Sequence, residues 1–459
     1  MAADRGIDVQ AFLDEHPFSR FQWLIFALCF LIVLLDGFDT AAIGYIAPSL
    51  ITEWGVSRPA LAPVLSAALF GLAGGALLSG PLADRLGRKA VLVGSVLIIG
   101  LACLASAFSG GLTQLVVWRF ITGLGLGAAM PNAVTLMSEY CPSARRATLT
   151  NAMFCGFPLG AAFGGFLAAW MIPQFGWRSV LVLGGVAPLL LTVLLLLLLP
   201  ESVRYMVAKG QPVERIRAVM RRVAPAAAAA GSFTLTETAP AAQTESGVAK
   251  SGVGLVLSRS YLVGSIGLWV AYFMGLVIFY ALINWMPILF RDAGLSQQTA
   301  ALIAALFPLG GVGAIFFGFL MDRFNGNLII AAGFAVTAVA IYAIGQVGGS
   351  VGPLVLVVLL AGTAMNTAQS SLPALAAAFY PTQGRATGVG WMLGLGRFGG
   401  IAGSFLVAEL ARQRLDLSQI FTVVAVPALI AAAALIVKQF AHPEDKSARA
   451  AARGEALGH

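Results

Sequence analysis

Long apolar runs bounded by turn residues and charges divide the chain into twelve segments. They lie near residues 21–48, 59–82, 89–108, 112–139, 147–171, 178–199, 261–288, 296–320, 328–347, 352–378, 386–410 and 418–440. A helix rises about 1.5 Å per residue, so about 20 apolar residues cross the core of a bilayer. The runs are continuous, without the alternating ten-residue segments of a membrane β-barrel. The pattern predicts an all-α membrane protein with 12 transmembrane helices. Between the sixth and seventh runs, residues 201–260 are hydrophilic. This stretch begins with a basic piece of helical character, Val213 to Val223, and then falls to low complexity with an alanine run at 226–230. Such composition predicts a flexible tether. The chain thus divides into an N-terminal half (1–200), a linker (201–260), a C-terminal half (261–440) and a polar, disordered tail (441–459).

Composition agrees with this reading. The 459 residues are 59% hydrophobic and 10% charged, where soluble domains carry about 25% charged residues. The 53 glycines suit helices that pack closely in lipid. The net charge of +8 sits in short loops, which points to membrane orientation and away from nucleic acid. One set of loops holds Arg85, Arg88, Lys89, Arg145, Arg146, the linker, Arg323, Arg385 and both termini. The opposite set holds only Arg58, Arg178, Arg291, Arg412 and Arg414. The positive-inside rule therefore places both termini in the cytoplasm. Residues 1–20 carry both signs of charge, so the first span is expected to act as its own insertion signal. Cys29, Cys103, Cys141 and Cys155 have no metal-ligand spacing and are read as free packing thiols.

The chain repeats itself. Gly80-x-Leu82-x-Asp84-Arg85 recurs as Gly318-x-Leu320-x-Asp322-Arg323. Pro142-x-x-x-Arg146-Ala147-Thr148 recurs as Pro381-x-x-x-Arg385-Ala386-Thr387. Pro48, Leu50, Gly55 and Ser57 recur as Pro287, Leu289, Gly294 and Ser296. The register is nearly constant, which predicts two six-helix halves in parallel repeat with a central site near the midplane.

The repeat also separates scaffold from chemistry. Asp36 maps to Gly275, Asp39 to Ile278 and Arg119 to Val358, while Arg397 maps back to Pro158. Each membrane-embedded charge therefore belongs to one half only. An aspartate at membrane depth costs roughly 2.5–3.5 kcal/mol on insertion scales, and such residues are functional candidates. Asp36 and Asp39 share a helix face at spacing i,i+3. Desolvation and mutual repulsion oppose holding both charges there, so the pair is a candidate proton carrier. No histidine competes, because His16, His442 and His459 all lie in the termini. Asp39 and Arg119 stand about 20 residues from the cytoplasmic ends of their oppositely directed spans, hence at similar depth. They can form an ion pair, whose bland reading is a lock between helices. Arg397 has no carboxylate of matching depth and suits an anionic substrate.

The loop Gly80-Pro81-Leu82-Ala83-Asp84-Arg85-Leu86-Gly87-Arg88-Lys89 resembles the signature between spans two and three of the major facilitator superfamily. The resemblance implies a cytoplasmic gate built from Gly80, Asp84, Arg85, Gly87 and Arg88, with Asp322 and Arg323 in the second copy. Trp118 to Gly125 resembles the family's fourth-span arginine motif, associated with proton coupling. Span five lacks the Gly-Pro pair of drug antiporters. Pro200-Glu201-Ser202-Val203-Arg204 resembles the motif that closes the sixth span in sugar and organic-ion members. Asp36-Gly37-Phe38-Asp39-Thr40-Ala41-Ala42-Ile43-Gly44-Tyr45-Ile46-Ala47-Pro48 is similar to the first span of the aromatic acid:proton symporters, which include 4-hydroxybenzoate and protocatechuate permeases. Gly394-Leu395-Gly396-Arg397 in span eleven supports this.

That resemblance implies uptake of a small aromatic carboxylate together with protons across the bacterial inner membrane, by a monomer that needs no cofactor beyond the proton gradient. Arg119 and Arg397 are then candidates for the carboxylate. Phe38, Tyr45, Tyr280, Asn284, Trp285 and Trp391 are candidates for a ring pocket, although each aromatic alone fits packing as well. Gln369 and Asn366 in span ten fit a bond to a ring hydroxyl, or equally a link between helices. Two rivals stand beside this reading: a carrier of another solute (a dicarboxylate, sugar or organic cation), and a membrane sensor of aromatic acids. An enzyme is not expected, since no nucleophile with a base and no metal cluster lies in the spans.

Overall fold

The computed structural model describes residues 6–235, 252–313, 324–347, 350–380 and 382–443. In chain order the elements are β1 (Gly6–Asp8), α1 (Val9–Glu15), α2 (Arg20–Trp54), α3 (Ala62–Leu86), α4 (Arg88–Ala107), α5 (Leu112–Tyr140), α6 (Arg146–Phe154), α7 (Gly156–Phe175), α8 (Arg178–Leu198), α9 (Val203–Ala208), α10 (Val213–Val223), β2 (Ser232–Thr234), α11 (Gly252–Val256), α12 (Leu262–Asp292), α13 (Gln297–Leu309), α14 (Gly326–Val347), α15 (Val351–Phe379), α16 (Thr382–Arg412) and α17 (Leu417–Ala441). Eleven helical stretches among the described residues are long and apolar enough to cross a membrane. The expected eighth span begins as α13 and a short 3-10 turn, Gly310–Gly313. Residues 314–323 are outside the described part, and with them Asp322 and Arg323. The expected fifth span is two helices, α6 and α7, joined at Cys155.

The chain forms two compact units. The first comprises Met1–Ser57 and Pro63–Gly247; the second comprises Arg58–Ala62 and Val248–His459. In the first unit, α2 begins at a reciprocal capping box between Ser19 and Gln22, which satisfies backbone donors at the helix start. It ends at Gly55 in the left-handed conformation (φ 61°), the usual stop for a helix. Within this unit α2 packs on α7, and α4 packs on both α5 and α8. The α2–α7 crossing needs small residues. A methyl group added at Gly37 would fall on the Phe157 carbonyl, and one added at Gly160 on the Leu34 carbonyl. Close backbone approach is what small residues permit in lipid, where burial of apolar area gives no drive. In the second unit, α12 packs on α16 and α17, while α14 packs on α15 and α17.

The linker is not a tether along its whole length. Residues 203–235 fold onto the first unit. The helix expected at Val213 to Val223 is α10, and it buries Ile216, Met220 and Val223. The low-complexity alanine run lies in a 3-10 turn, Pro225–Ala229, with Ala227 buried. Arg217 fastens this turn by donating Nε and Nη2 to the Ala230 carbonyl at 3.0 and 2.7 Å. Beyond it β2 pairs in parallel with β1, in the register Gly6↔Ser232, Ile7↔Phe233, Asp8↔Thr234. Gln10, on α1, joins this layer to the spans: its Oε1 accepts from Arg146 and from Arg204, each at 2.8 Å.

The α2–α7 crossing gives a direct test. Alanine is favoured over glycine in a helix by about 1 kcal/mol, yet Gly160→Ala overpacks the crossing, at a cost of about 1–3 kcal/mol. Gly94→Ala on α4 meets nothing within 4 Å. In detergent, Gly160→Ala should lower the melting temperature, and Gly94→Ala should leave it level or raise it. Equal effects at both sites would contradict the crossing.

Candidate functional site

The acidic stretch of α2 lies wholly inside the first unit. Asp36 and Asp39 are 4% and 1% exposed. Arg119, from α5, is equally buried, and its Nη1 donates to both oxygens of Asp39 at 2.8 and 2.9 Å. Its Nη2 donates to the Asp39 carbonyl at 3.3 Å. The matching depths thus bring these two residues together. The thiol of Cys103 stands beside the pair and donates to the Leu181 carbonyl at 3.4 Å. A charge-assisted contact of this kind holds only while both partners are ionised. A proton on Asp39 would leave a buried guanidinium without its counter-charge, and such a change has to be met by another anion or by movement.

The aromatic residues around this pair serve the scaffold. Phe38 lies against Gly164 and Gly184, between α7 and α8. The Tyr45 hydroxyl donates to the Ala161 carbonyl at 3.2 Å, and the residue is 1% exposed. Both are buried and make helix-to-helix contacts. The reason is local: α2 is apolar on nearly every side, so its aromatics turn towards neighbouring helices as readily as towards a solute.

In the second unit the outcome is mixed. The Asn284 amide donates to Ser404 Oγ at 3.0 Å, and the Trp285 indole donates to the Ser404 carbonyl at 3.0 Å. Both residues are fully buried, and these bonds tie α12 to α16. Tyr280 is buried, with its ring beside Gly400. Asn366 donates to the Phe307 and Gly362 carbonyls, a helix-to-helix link. Trp391 remains partly exposed and packs against Trp269, with ring centroids 5.7 Å apart. Arg397, on α16, is partly buried and has no ion pair among the described residues. It lies close to Tyr272 of α12, a residue the sequence reading passed over. Gln369 of α15 reaches the same place and donates Nε2 to the Tyr272 carbonyl at 3.3 Å. Arg397, Gln369 and Tyr272 therefore form one group. The signal for Tyr272 was its place one helical turn before Gly275, the repeat counterpart of Asp36.

The gate motif is organised by a residue not assigned to it. Glu201, in the motif after the sixth span, accepts from the backbone of Arg88 at 2.9 Å and of Lys89 at 3.2 Å. A carboxylate there satisfies free donors at the start of α4 and complements the helix dipole. Gly87 has φ 95°, and a side chain at that position would strike Glu201. Arg88 reaches Asp84 at 3.3 Å and Glu139 at 3.7 Å. Glu139 accepts from the Ser202 hydroxyl. The Tyr205 hydroxyl donates to the Arg85 carbonyl at 2.9 Å, while the Arg85 side chain is exposed. Around Gly80 there is open space for a side chain. No group of His, Cys, Asp and Glu side chains among the described residues could hold a metal ion.

A twelve-run chain with an internal repeat, a buried acid–arginine pair and this loop defines a class. The family profile of the Major Facilitator Superfamily matches residues 29–404 and 268–457, and the chain belongs to that superfamily. It is a multi-pass membrane transporter and not an enzyme. It is 51% identical to the 4-hydroxybenzoate transporter PcaK of Pseudomonas putida, over 95% of this chain and 96% of that one. It is 46% identical to a gallate transporter of Pseudomonas putida, over 94% and 95%. Among solved structures it is similar in fold to the inward open xylose transporter XylE from E. coli, with a TM-score of 0.71 and 19% identity over 93% of this chain and 97% of that one.

Asp39→Asn should strand the buried Arg119 and lower stability by about 3–5 kcal/mol. Adding Arg119→Gln should restore much of the lost melting temperature. A single variant as stable as the wild type would mean that the pair is not coupled.

Proposed function

We infer that the chain is a proton symporter that imports a hydroxylated benzoate across the bacterial inner membrane by alternating access, with both termini in the cytoplasm. The observation that carries this reading is the buried Asp39–Arg119 pair. It is found in the half that also holds Asp36, and the repeat places no charge at the corresponding positions of the other half. The named relatives, carriers of 4-hydroxybenzoate and gallate, support an aromatic acid as the solute.

In this cycle Asp36 and Asp39 take up protons from the outside. Neutralising Asp39 removes the counter-charge of Arg119, so the site gains affinity for an anion as it gains a proton. The carboxylate of the substrate supplies that charge at Arg119 or at Arg397. Loss of the protons on the inner side restores the Asp39–Arg119 pair and expels the anion. The coupling is reciprocal, as linkage requires: a proton that favours the anion is itself held more tightly once the anion is bound. Moving one elementary charge through 100 mV is worth about 2.3 kcal/mol, so a second proton per anion would make uptake electrogenic. The gate at Asp84, Arg85 and Arg88, held by Glu201, opens the inner side. The protein acts as a monomer.

The test is uptake of radiolabelled 4-hydroxybenzoate into proteoliposomes. A wild-type preparation should accumulate substrate when a proton gradient is imposed. Asp36→Asn should abolish accumulation while leaving exchange of substrate across the membrane. Accumulation by Asp36→Asn equal to that of the wild type would defeat the proton role. Failure of the wild type to move any of 4-hydroxybenzoate, protocatechuate or gallate would defeat the substrate class.

A further inference from the structure

Asp36 has as its repeat counterpart a glycine, Gly275. The space beside that glycine is occupied. The Gln369 side chain reaches across from α15, and its Oε1 stands where the first carbon of a side chain at 275 would be. The counterpart of Gln369 in the first half is Met130. The two halves have thus exchanged their polar group. The first half carries an acid on its first span and, at the repeat position on its fourth, an apolar residue. The second half carries a glycine on its first span and an amide on its fourth. An acid can store a proton, whereas an amide cannot titrate and can only donate and accept hydrogen bonds.

The amide is also incompletely satisfied. Its Nε2 donates to the Tyr272 carbonyl at 3.3 Å, which fixes the way the group faces, because the reverse orientation would set two oxygens against each other. Its Oε1 is buried and accepts no hydrogen bond among the described residues. A buried acceptor without a donor is unfavourable, and a ligand that brings a donor removes that penalty. The Tyr272 phenol meets the same amide side chain, and Arg397 lies close to Tyr272. Around Tyr272 the second unit therefore holds a cation, Arg397, and a buried amide oxygen that accepts no hydrogen bond among the described residues.

We propose that Gln369, held in place by Gly275, reads the ring hydroxyl of the aromatic acid and so makes the transporter prefer hydroxylated over unsubstituted benzoates. This rests on the proposed function, in which Arg397 is a candidate for the carboxylate. A carboxylate alone has no proton to donate to Oε1; a phenol has one. Gly275 is a positioning residue: it touches no solute, and its lack of a side chain is what admits the amide. A site built to bond a hydroxyl discriminates against the analogue that lacks it, since its own polar group is then left unpaired.

The experiment measures affinities of purified transporter in detergent for 4-hydroxybenzoate and for benzoate. The wild type should prefer the hydroxylated acid by roughly tenfold or more, the scale of one unpaired acceptor. In Gln369→Leu the ratio should fall to within about twofold of one. In Gly275→Ala, which keeps the amide but displaces it, the ratio should fall as well. A purely structural role for either residue would lower affinity for both acids and leave their ratio unchanged, and that result overturns the inference. Should Gln369→Leu fail to fold, the ratio in Gly275→Ala decides alone. If the wild type binds both acids equally, the hydroxyl reading fails while the proposed function stands. If it binds neither, the proposed function fails and this inference falls with it.

Discussion

A guanidinium and a carboxylate taken out of water tolerate very little freedom. Arg119 has both oxygens and the carbonyl of Asp39 within reach, and neither residue has solvent to fall back on. The geometry around them follows from that need. Asp39 must sit at one depth on α2, which holds α2 in register with α5. Gly37 and Gly160 allow α2 to lie close on α7, and Phe38 fills the space against Gly164 and Gly184. A buried ion pair is a poor source of stability, since desolvation offsets most of its attraction. What it fixes is the register of α2 against α5.

The two halves share a scaffold and divide the chemistry. Proline and glycine positions repeat from one half to the other, as backbone geometry demands. The membrane-embedded ionisable groups do not repeat, although Asp84-Arg85 and Arg146 in the loops do. The first half holds the buried acids with their arginine, and the second holds an arginine beside an amide and a phenol. Placing an acid in one half and a neutral amide in the other gives the two halves different polar chemistry at corresponding positions.

Much of the architecture was legible in the residues. The spans could be read because lipid leaves no alternative to long apolar helices. The Asp39–Arg119 pair could be read because depth follows from counting residues along a helix. The directions of Phe38, Tyr45, Asn284 and Trp285 could not, because a helix apolar all round carries no mark of which side faces a neighbour. Packing of the linker was equally hidden. Its alanine-rich composition predicts a tether, yet Arg217 binds the Ala230 carbonyl and β1 supplies a partner strand. Both partners lie far from where composition is judged. The role of Glu201 was half legible: an acid in a family motif was visible, but its seat at the start of α4 is a contact across more than a hundred residues.

The pairing of β1 with β2 has a consequence for the order of synthesis. Gly6 is made 226 residues before Ser232, which follows only after the spans of the first unit have been made. At about 5–20 residues per second, the first strand waits roughly 10 to 45 s for its partner. During that interval the α1 layer has an open edge and the first six spans have no closing clasp. The pairing therefore ties the two ends of the first unit's chain together only after its helices have been made.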